Sequence, residues 1–524
     1  MFHSRNTNFM KKRAFLIAII IFVFAISANS QDISALFQQG RAQMNAQSYT
    51  EAVNTFTRIL EVKPDYFDAY SYRGYSFYML KDYKSAISDF DKAISINGTY
   101  ADVYSNRGMA QYEMKDYNSA IRDFDKAVSI NPAYTEGYYQ KGLAYQSLQD
   151  YPNARTSFER AISIEPNYIY AINARGYSSY LLKDYDAAYN DFTQVLSINP
   201  DYAEAWKNLG LVHMEYNEYD KAVSDFDKTL ELNPNYNEVY TFRGNTYVKM
   251  KDYGNALTDL NRAAELNPYS YEVFLNKGKV NAYFQDYSKA VNDYTQAITL
   301  NQAIPEAYYN RGLAYLETGN YTNADADFDR LIQLNPGYGG AYFGKGVTAM
   351  KSMDNTTALM NFNQAISLDP NIAMSYVYRA DIERQNKDYE PALNDLTAAL
   401  NIEPQSDYYF NLRGLVFTEM EKYDLATIDY NYALGINPLN AFTYNNKGLN
   451  YFAMKDYSGA IREFDKAISL DPNYSFAYNN RAYVYSDMQD YSNAINDWET
   501  AIRLNPSYGP ILRPMIDNIN TNFK

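Results

Sequence analysis

The sequence predicts an all-α fold, a solenoid of stacked antiparallel helix pairs, and three observations predict it. A 34-residue frame fills residues 33–508 fourteen times without an insertion or deletion. Inside each repeat, two stretches place apolar or small residues three and four apart, as in Tyr70, Gly74 and Phe77 and then Ala86, Phe90, Ala93 and Ile94, the spacing of one helix face. Counting residue 33 as position 1, position 8 is Gly in twelve repeats and Ala at Ala380 and Ala482, while position 20 is Ala in all fourteen. A fixed period of this length marks a repeat architecture. Each repeat then packs on its neighbours, so no central core is required. This overrides the about three or four globular domains that 524 residues would otherwise suggest.

Helix A is predicted near positions 2–14 and helix B near positions 18–30. The small residues at positions 8 and 20 let the two helices approach closely, where a bulky side chain would force them apart. Position 24 is always large and apolar or aromatic, from Phe56, Phe90, Phe124 and Phe158 to Leu260, Tyr294 and Trp498. Position 32 is Pro in twelve repeats and should end helix B, because proline lacks a donor and clashes with the preceding turn. Gly98 and Gln302 replace it twice, and slight bends are expected there. Pro152 and Pro391 fall in the first turn of helix B, where proline is tolerated. Position 17 is Tyr in thirteen repeats, which explains many of the 57 tyrosines.

Trp206, Leu209 and Gly210, followed by Ala222, Phe226 and Pro234, match the aromatic, Leu-Gly, Ala, Phe and Pro pattern of the tetratricopeptide repeat. Other repeats put Tyr308 or Phe274 in the place of the Trp. Over residues 33–508 the chain resembles that family. The resemblance implies a right-handed superhelix whose helix A faces line a concave groove, mainly through positions 2, 5, 6, 9, 12 and 13. It also implies a non-catalytic scaffold for proteins or peptides, although repeat scaffolds carry many unrelated functions.

The two ends read differently. Lys11, Lys12 and Arg13 precede an apolar run from Ala14 to Ile26, and Ala28 and Ser30 are small. Residues 1–30 therefore read as a secretory signal cleaved near Gln31, with Met10 as an alternative start. The run is shorter than the roughly 20 residues that span a bilayer. No stable membrane insertion is expected after cleavage, and a retained anchor is the competing reading. With no Cys behind the run, a bacterial lipoprotein is excluded. The expected location is secreted, periplasmic or cell surface. At the other end, residues 509–524 should cap the array. Ile511, Leu512, Met515, Ile516 and Ile519 suit a short helix over the last repeat, starting near Pro514.

Composition removes several chemistries. Without cysteine there are no disulfides, thiolate metal sites or cysteine nucleophiles. Past residue 30 the only histidine is His213, read as a core residue rather than a ligand or catalyst. Zinc would need further ligands in register. Twelve of the 23 glycines fall singly at the repeat spacing, and no phosphate loop is expected. Any two of the many acids resemble an acid–base pair, but helix faces offer no closed pocket to shift their pKa values. No catalytic residue, metal or cofactor is expected. The net charge is −15, and −19 without the four bases of the first 30 residues. Such a chain should repel nucleic acid and anionic lipid.

Position 7 is Arg or Lys in twelve repeats and position 23 is usually Asp. The coupling predicts an ion pair between helices A and B, such as Arg73 with Asp89, worth about 0–1 kcal/mol if exposed. In the groove, position 6 is Asn at Asn106, Asn208, Asn276, Asn310, Asn446 and Asn480. Asn offers both donor and acceptor, so this column is a candidate grip on an extended peptide backbone, with a plain family filler as the alternative. Tyr75, Tyr139, Tyr177, Tyr309 and Tyr483, at positions 5 or 9, offer flat faces with a polar tip, suited to peptide side chains or to sugars, or are simply surface tyrosines.

Acids outnumber bases on this face. Seven stand at position 2 (Asp68, Asp102, Glu136, Glu204, Glu238, Glu272 and Glu306) and five at position 13, including Glu215 and Glu317; Asp381 adds one more. Six bases oppose these thirteen acids: Arg41, Lys207, Lys249, Lys279, Lys351 and Arg384. Position 2 opens helix A, where a carboxylate suits the helix dipole, but position 13 lies at the unfavourable end. The expected partner is therefore a basic or neutral protein or peptide, with a glycan or cell-wall polymer as the alternative. The family's clamp for a C-terminal carboxylate is not expected. Lys207 has its position 5, but Leu211 occupies position 9 and Phe242 follows at position 6.

Overall fold

The computed structural model describes residues 33–522. The segment read as an export signal lies outside the described residues. Fourteen helix pairs occupy the fourteen repeats, numbered here 1 to 14, and a final helix follows them. Helix A covers positions 1–13, as in Ala101–Glu113, and helix B covers positions 17–30, as in Tyr117–Ile130. Each begins one residue earlier than expected. The repeats group into two compact bodies, one closing at Leu266 and the other opening at Asn267.

The turn between helices A and B is set by two adjacent residues. Position 15 adopts a left-handed backbone in every repeat, with φ from 58° at Gln47 to 73° at Gly319. Position 16 is usually Asp, and its carboxylate caps helix B; Asp116 Oδ1 accepts from the Ser119 amide at 3.1 Å. Such a cap satisfies an amide that the helix itself cannot.

Helix B stops at position 30 whether or not position 32 is proline. Tyr83–Ile96 and Tyr287–Leu300 end in the common register ahead of Gly98 and Gln302. The side chain at position 31 explains this. Asn97 Oδ1 accepts from the Thr99 amide at 3.1 Å, and Asn301 Oδ1 from the Ala303 amide at 3.0 Å. These Asx turns redirect the chain without proline.

The core is a series of shared layers. Ala86, Phe90 and Ala93 of repeat 2 cluster with Val103 and Ala110 of repeat 3, so each repeat buries its helix B against the next helix A. Position 8 is glycine because of position 24. A Cβ on Gly108 would stand 2.8 Å from the Phe124 ring, and one on Gly40 2.7 Å from Phe56.

The last helix, Gly509–Asn522, begins five residues before Pro514 and contains it, which corrects the expected start. Leu512, Ile516 and Ile519 are buried against Ala494, Trp498 and Ala501. That packing outweighs the backbone hydrogen bond lost at the proline. Ile511, read as part of the capping face, is 63% exposed.

Candidate binding groove

The position 7 cations are structural. Eight arginines make a two-pronged pair with the position 23 aspartate of their own repeat; Arg73 donates Nε to Asp89 Oδ2 at 2.7 Å and Nη2 to Oδ1 at 2.8 Å. In seven of them the remaining Nη1 crosses to the preceding repeat, as from Arg107 to Asp91 at 2.6 Å and from Arg73 to Thr57 at 2.9 Å. In the same seven an aromatic ring at position 4 lies beside the guanidinium, as Tyr70 does beside Arg73 at 5.5 Å. The aspartates are buried. The expected pairs exist, but they are not exposed: they join helix A to helix B and one repeat to the next.

The asparagines divide. Asn208 and Asn446 are buried. Each donates its amide to a position 5 asparagine of the preceding repeat, Asn173 and Asn411, at 3.2 Å. Asn480 does the same to Asn445 at 2.9 Å. One amide donor of each therefore joins two repeats, while the Oδ1 of Asn208 is buried without a hydrogen-bond partner among the described residues. Asn106, Asn276 and Asn310 are partly exposed.

The tyrosines divide too. Tyr139 packs on Phe158 and Tyr168 with centroids 5.9 and 5.3 Å apart, and Tyr309 on Phe328 and Tyr338 at 6.4 and 5.5 Å. These contacts lie within one repeat, tying helix A to helix B and to the position 34 tyrosine, and burial pushes the Tyr139 phenol up to about 12. Tyr483 packs on Trp498 at 5.5 Å and points its hydroxyl at Met515 of the last helix. All three rings are partly buried and have internal packing partners. Tyr75 is half-buried, and Tyr177 is exposed and stacked on Tyr180 at 6.3 Å.

Among the acids, Glu215 and Glu317 are exposed. Glu215 accepts from the hydroxyls of Tyr180 and Tyr185 at 3.4 and 3.2 Å. Burial, then this carboxylate, pushes Tyr180 up to about 12. Several position 2 acids have internal partners. Glu136 accepts from the Tyr168 hydroxyl at 2.8 Å, Glu204 pairs with Lys207 and the Tyr236 hydroxyl, and Glu306 pairs with Lys279 at 2.7 Å. Asp68 and Asp102 have no ion-pair partner among the described residues.

The first three repeats bring several of these residues to one place. A cleft of about 470 Å³ is bounded by Phe67, Tyr72, Tyr75, Tyr100, Asp68, Asp102 and Asn106. Tyr75 and Asn106 were legible as groove positions. Phe67 and Tyr100, at positions 1 and 34, were missed, although tyrosine recurs at position 34 through the first six repeats. Position 2 also changes character along the chain. After Glu306 it becomes Gly340, Met374, Tyr408, Phe442 and Phe476, the last three 44%, 44% and 55% exposed. That switch is readable in the frame itself.

No group of three or more His, Cys, Asp or Glu side chains placed to hold a metal occurs among the described residues. No helix among them is long and apolar enough to cross a membrane.

Comparison with known families places the Tetratricopeptide repeat on residues 101–134, 135–168, 203–236, 305–338, 441–474 and 475–508, on 37–101, and on 169–202 and 238–270. A TPR repeat model covers 281–319. No curated protein matches. Among solved structures, the chain is similar to one in the APC/C hetero-tetramer Cut9–Hcn1, with 15% identity over 90% of this chain and 94% of that one and a TM-score of 0.40. It is also similar to YrrB, described as a TPR protein with an unusual peptide-binding site, with 24% identity over 35% and 95% of the two chains and a TM-score of 0.33. A tetratricopeptide repeat protein from Parabacteroides merdae gives 20% identity over 46% and 95%, with a TM-score of 0.36. Matched stretches at the period read from the sequence, each folded as a helix pair, establish that the chain belongs to the tetratricopeptide repeat family.

Proposed function

We propose that this chain is an exported, non-catalytic scaffold that holds a basic or neutral segment of another protein along its helix A faces. Tetratricopeptide repeats are protein–protein interaction modules. The finer reading is carried by the cleft of repeats 1–3, where uncompensated Asp68 and Asp102 stand beside Tyr75 and Asn106. A concave wall of one sign focuses its field and speeds encounter with the opposite sign.

The test captures partners from an envelope extract on the immobilised chain, then measures their affinity at low and high salt and on Glu215→Lys and Glu317→Lys. Binding should weaken with salt and with either reversal. Indifference to both would leave the acids as helix caps and solubilising surface. Ligand that survives protease treatment of the extract would favour a glycan instead. Export predicts a secreted chain beginning near Gln31, and an intact Met1 or Met10 on a cytosolic chain would refute it.

A further inference from the structure

The cleft of repeats 1–3 has a chemistry more specific than net negative charge. Phe67 and Tyr100 stand with ring centroids 4.7 Å apart and planes 31° from one another, and Tyr72 and Tyr75 line the same space. Two carboxylates, Asp68 and Asp102, open onto it without an ion-pair partner among the described residues. Aromatic faces carry negative quadrupoles that attract a cation, and Arg and Lys are both held this way. The chain already shows the contact: Arg41 lies over the Tyr72 ring at 5.8 Å from its centroid. Arg41 therefore lies over one ring and contributes a positive charge nearby, while neither carboxylate has an ion-pair partner among the described residues and Asp102 is hydrogen-bonded by the Tyr134 hydroxyl.

The alkyl stem of a lysine or arginine suits aromatic walls, and its charged head suits a carboxylate. An anionic or purely apolar side chain would leave Asp68 and Asp102 without a counter-charge. From these facts we infer that the cleft bounded by Phe67, Tyr72, Tyr75 and Tyr100 and flanked by Asp68 and Asp102 is a cage for one cationic side chain, lysine or arginine, of a bound peptide. The inference rests on the proposed peptide-binding groove and names what one part of it reads.

The test uses the full chain and three short fluorescent peptides of one sequence, carrying lysine, arginine or acetyl-lysine; acetylation removes the charge. Affinity is read by anisotropy. The lysine and arginine peptides should bind, and the acetylated one should bind roughly tenfold more weakly. Because a chain of net charge −15 attracts any cation, the deciding variants leave charge unchanged. Tyr75→Leu and Tyr100→Leu should weaken the lysine peptide several-fold while the melting curve stays put. Asp68→Asn with Asp102→Asn should cost more affinity than Glu215→Gln with Glu317→Gln, which removes the same charge elsewhere. Arg41→Gln should tighten binding more than Arg58→Gln, an exposed arginine on helix B. Ring variants that bind as the wild type does, or equal losses from the two acid pairs, overturn the cage. If the acetylated peptide binds as well as the charged one, or photo-crosslinks to helix A faces outside these repeats, the cage fails while the groove stands. If no peptide binds, both fail.

Discussion

His213 Nδ1 lies 2.6 Å from Asp225 Oδ2, both side chains buried. Asp225 stands at position 23 of repeat 6, where eight other repeats supply an arginine from position 7; here that position is Leu209. The histidine, four residues further along the same helix, takes the arginine's place. Burial pushes Asp225 up to about 6 against the pull of His213. His213→Ala would strand a buried carboxylate and should cost about 3–5 kcal/mol, measured by urea denaturation. The double variant His213→Ala/Asp225→Ala should recover much of the loss. A single variant as stable as the wild type would show that the pair is incidental.

Gly108→Val should destabilise the first body, because its Cβ would meet Phe124 at 2.8 Å between helices that cannot part without losing their core. Overpacking of this kind costs about 1–3 kcal/mol. Phe124→Leu in the same chain should restore part of it, as repeat 7 already combines Gly244 with Leu260 at a looser 3.1 Å. Unfolding curves of the single and double variants decide; additive losses would refute the steric account.

Lys115 holds φ at 64°, a backbone region in which a side chain costs about 1–2 kcal/mol. Lys115→Gly should stabilise by about 0.5–1 kcal/mol, since the added freedom of the unfolded chain offsets part of the relief. The readout is the denaturation midpoint, which should rise; a lower midpoint would place the strain elsewhere.

Glu383 should give the second body a pH dependence. Burial pushes its carboxyl up to about 7, Asp395 and Asp388 add to the rise, and Arg379 opposes it. Its Oε2 is buried without a hydrogen-bond partner among the described residues. The folded state keeps a proton that the unfolded chain releases near pH 4.3, so this contribution falls as pH rises from about 4.3 to about 7 and is flat above. Thermal melts of the full chain should be lower at about pH 8 than at about pH 5. Glu383→Gln should reduce that slope and stabilise the chain by about 1–3 kcal/mol at the higher pH. Equal slopes for wild type and variant would refute the assignment.

Tyr408, Phe442 and Phe476 take the position where earlier repeats carry acids, and all three are exposed. Replacing the three by alanine should leave the melting temperature within about 2–4 °C and weaken the captured partner. Unchanged affinity would remove these rings from the binding surface.

Much of the fold was legible because one steric relationship recurs. Gly or Ala at position 8 against a large residue at position 24 admits one close packing of two helices, and fourteen repetitions leave no other period. The groove was harder to read. Position numbers showed which residues share the helix A face, so Tyr75 and Asn106 were found, but not which of them a neighbouring repeat covers. Asn208 and Asn446 share that face and bond to the preceding repeat, while Tyr139 and Tyr309 pack on rings of their own repeats.

The sequence by itself determined the repeat length, the helix pairing, the Arg–Asp coupling and the excess of acid over base, because each depends on residues at a fixed distance along the chain. Tertiary structure decided three other matters. It decided that the last helix runs through Pro514, that Asp68 and Asp102 stay uncompensated while Glu204 and Glu306 do not, and that Phe67 and Tyr100 meet beside them. Those outcomes depend on which side chains folding brings together, and burial and ion pairing are properties of that meeting rather than of either residue alone.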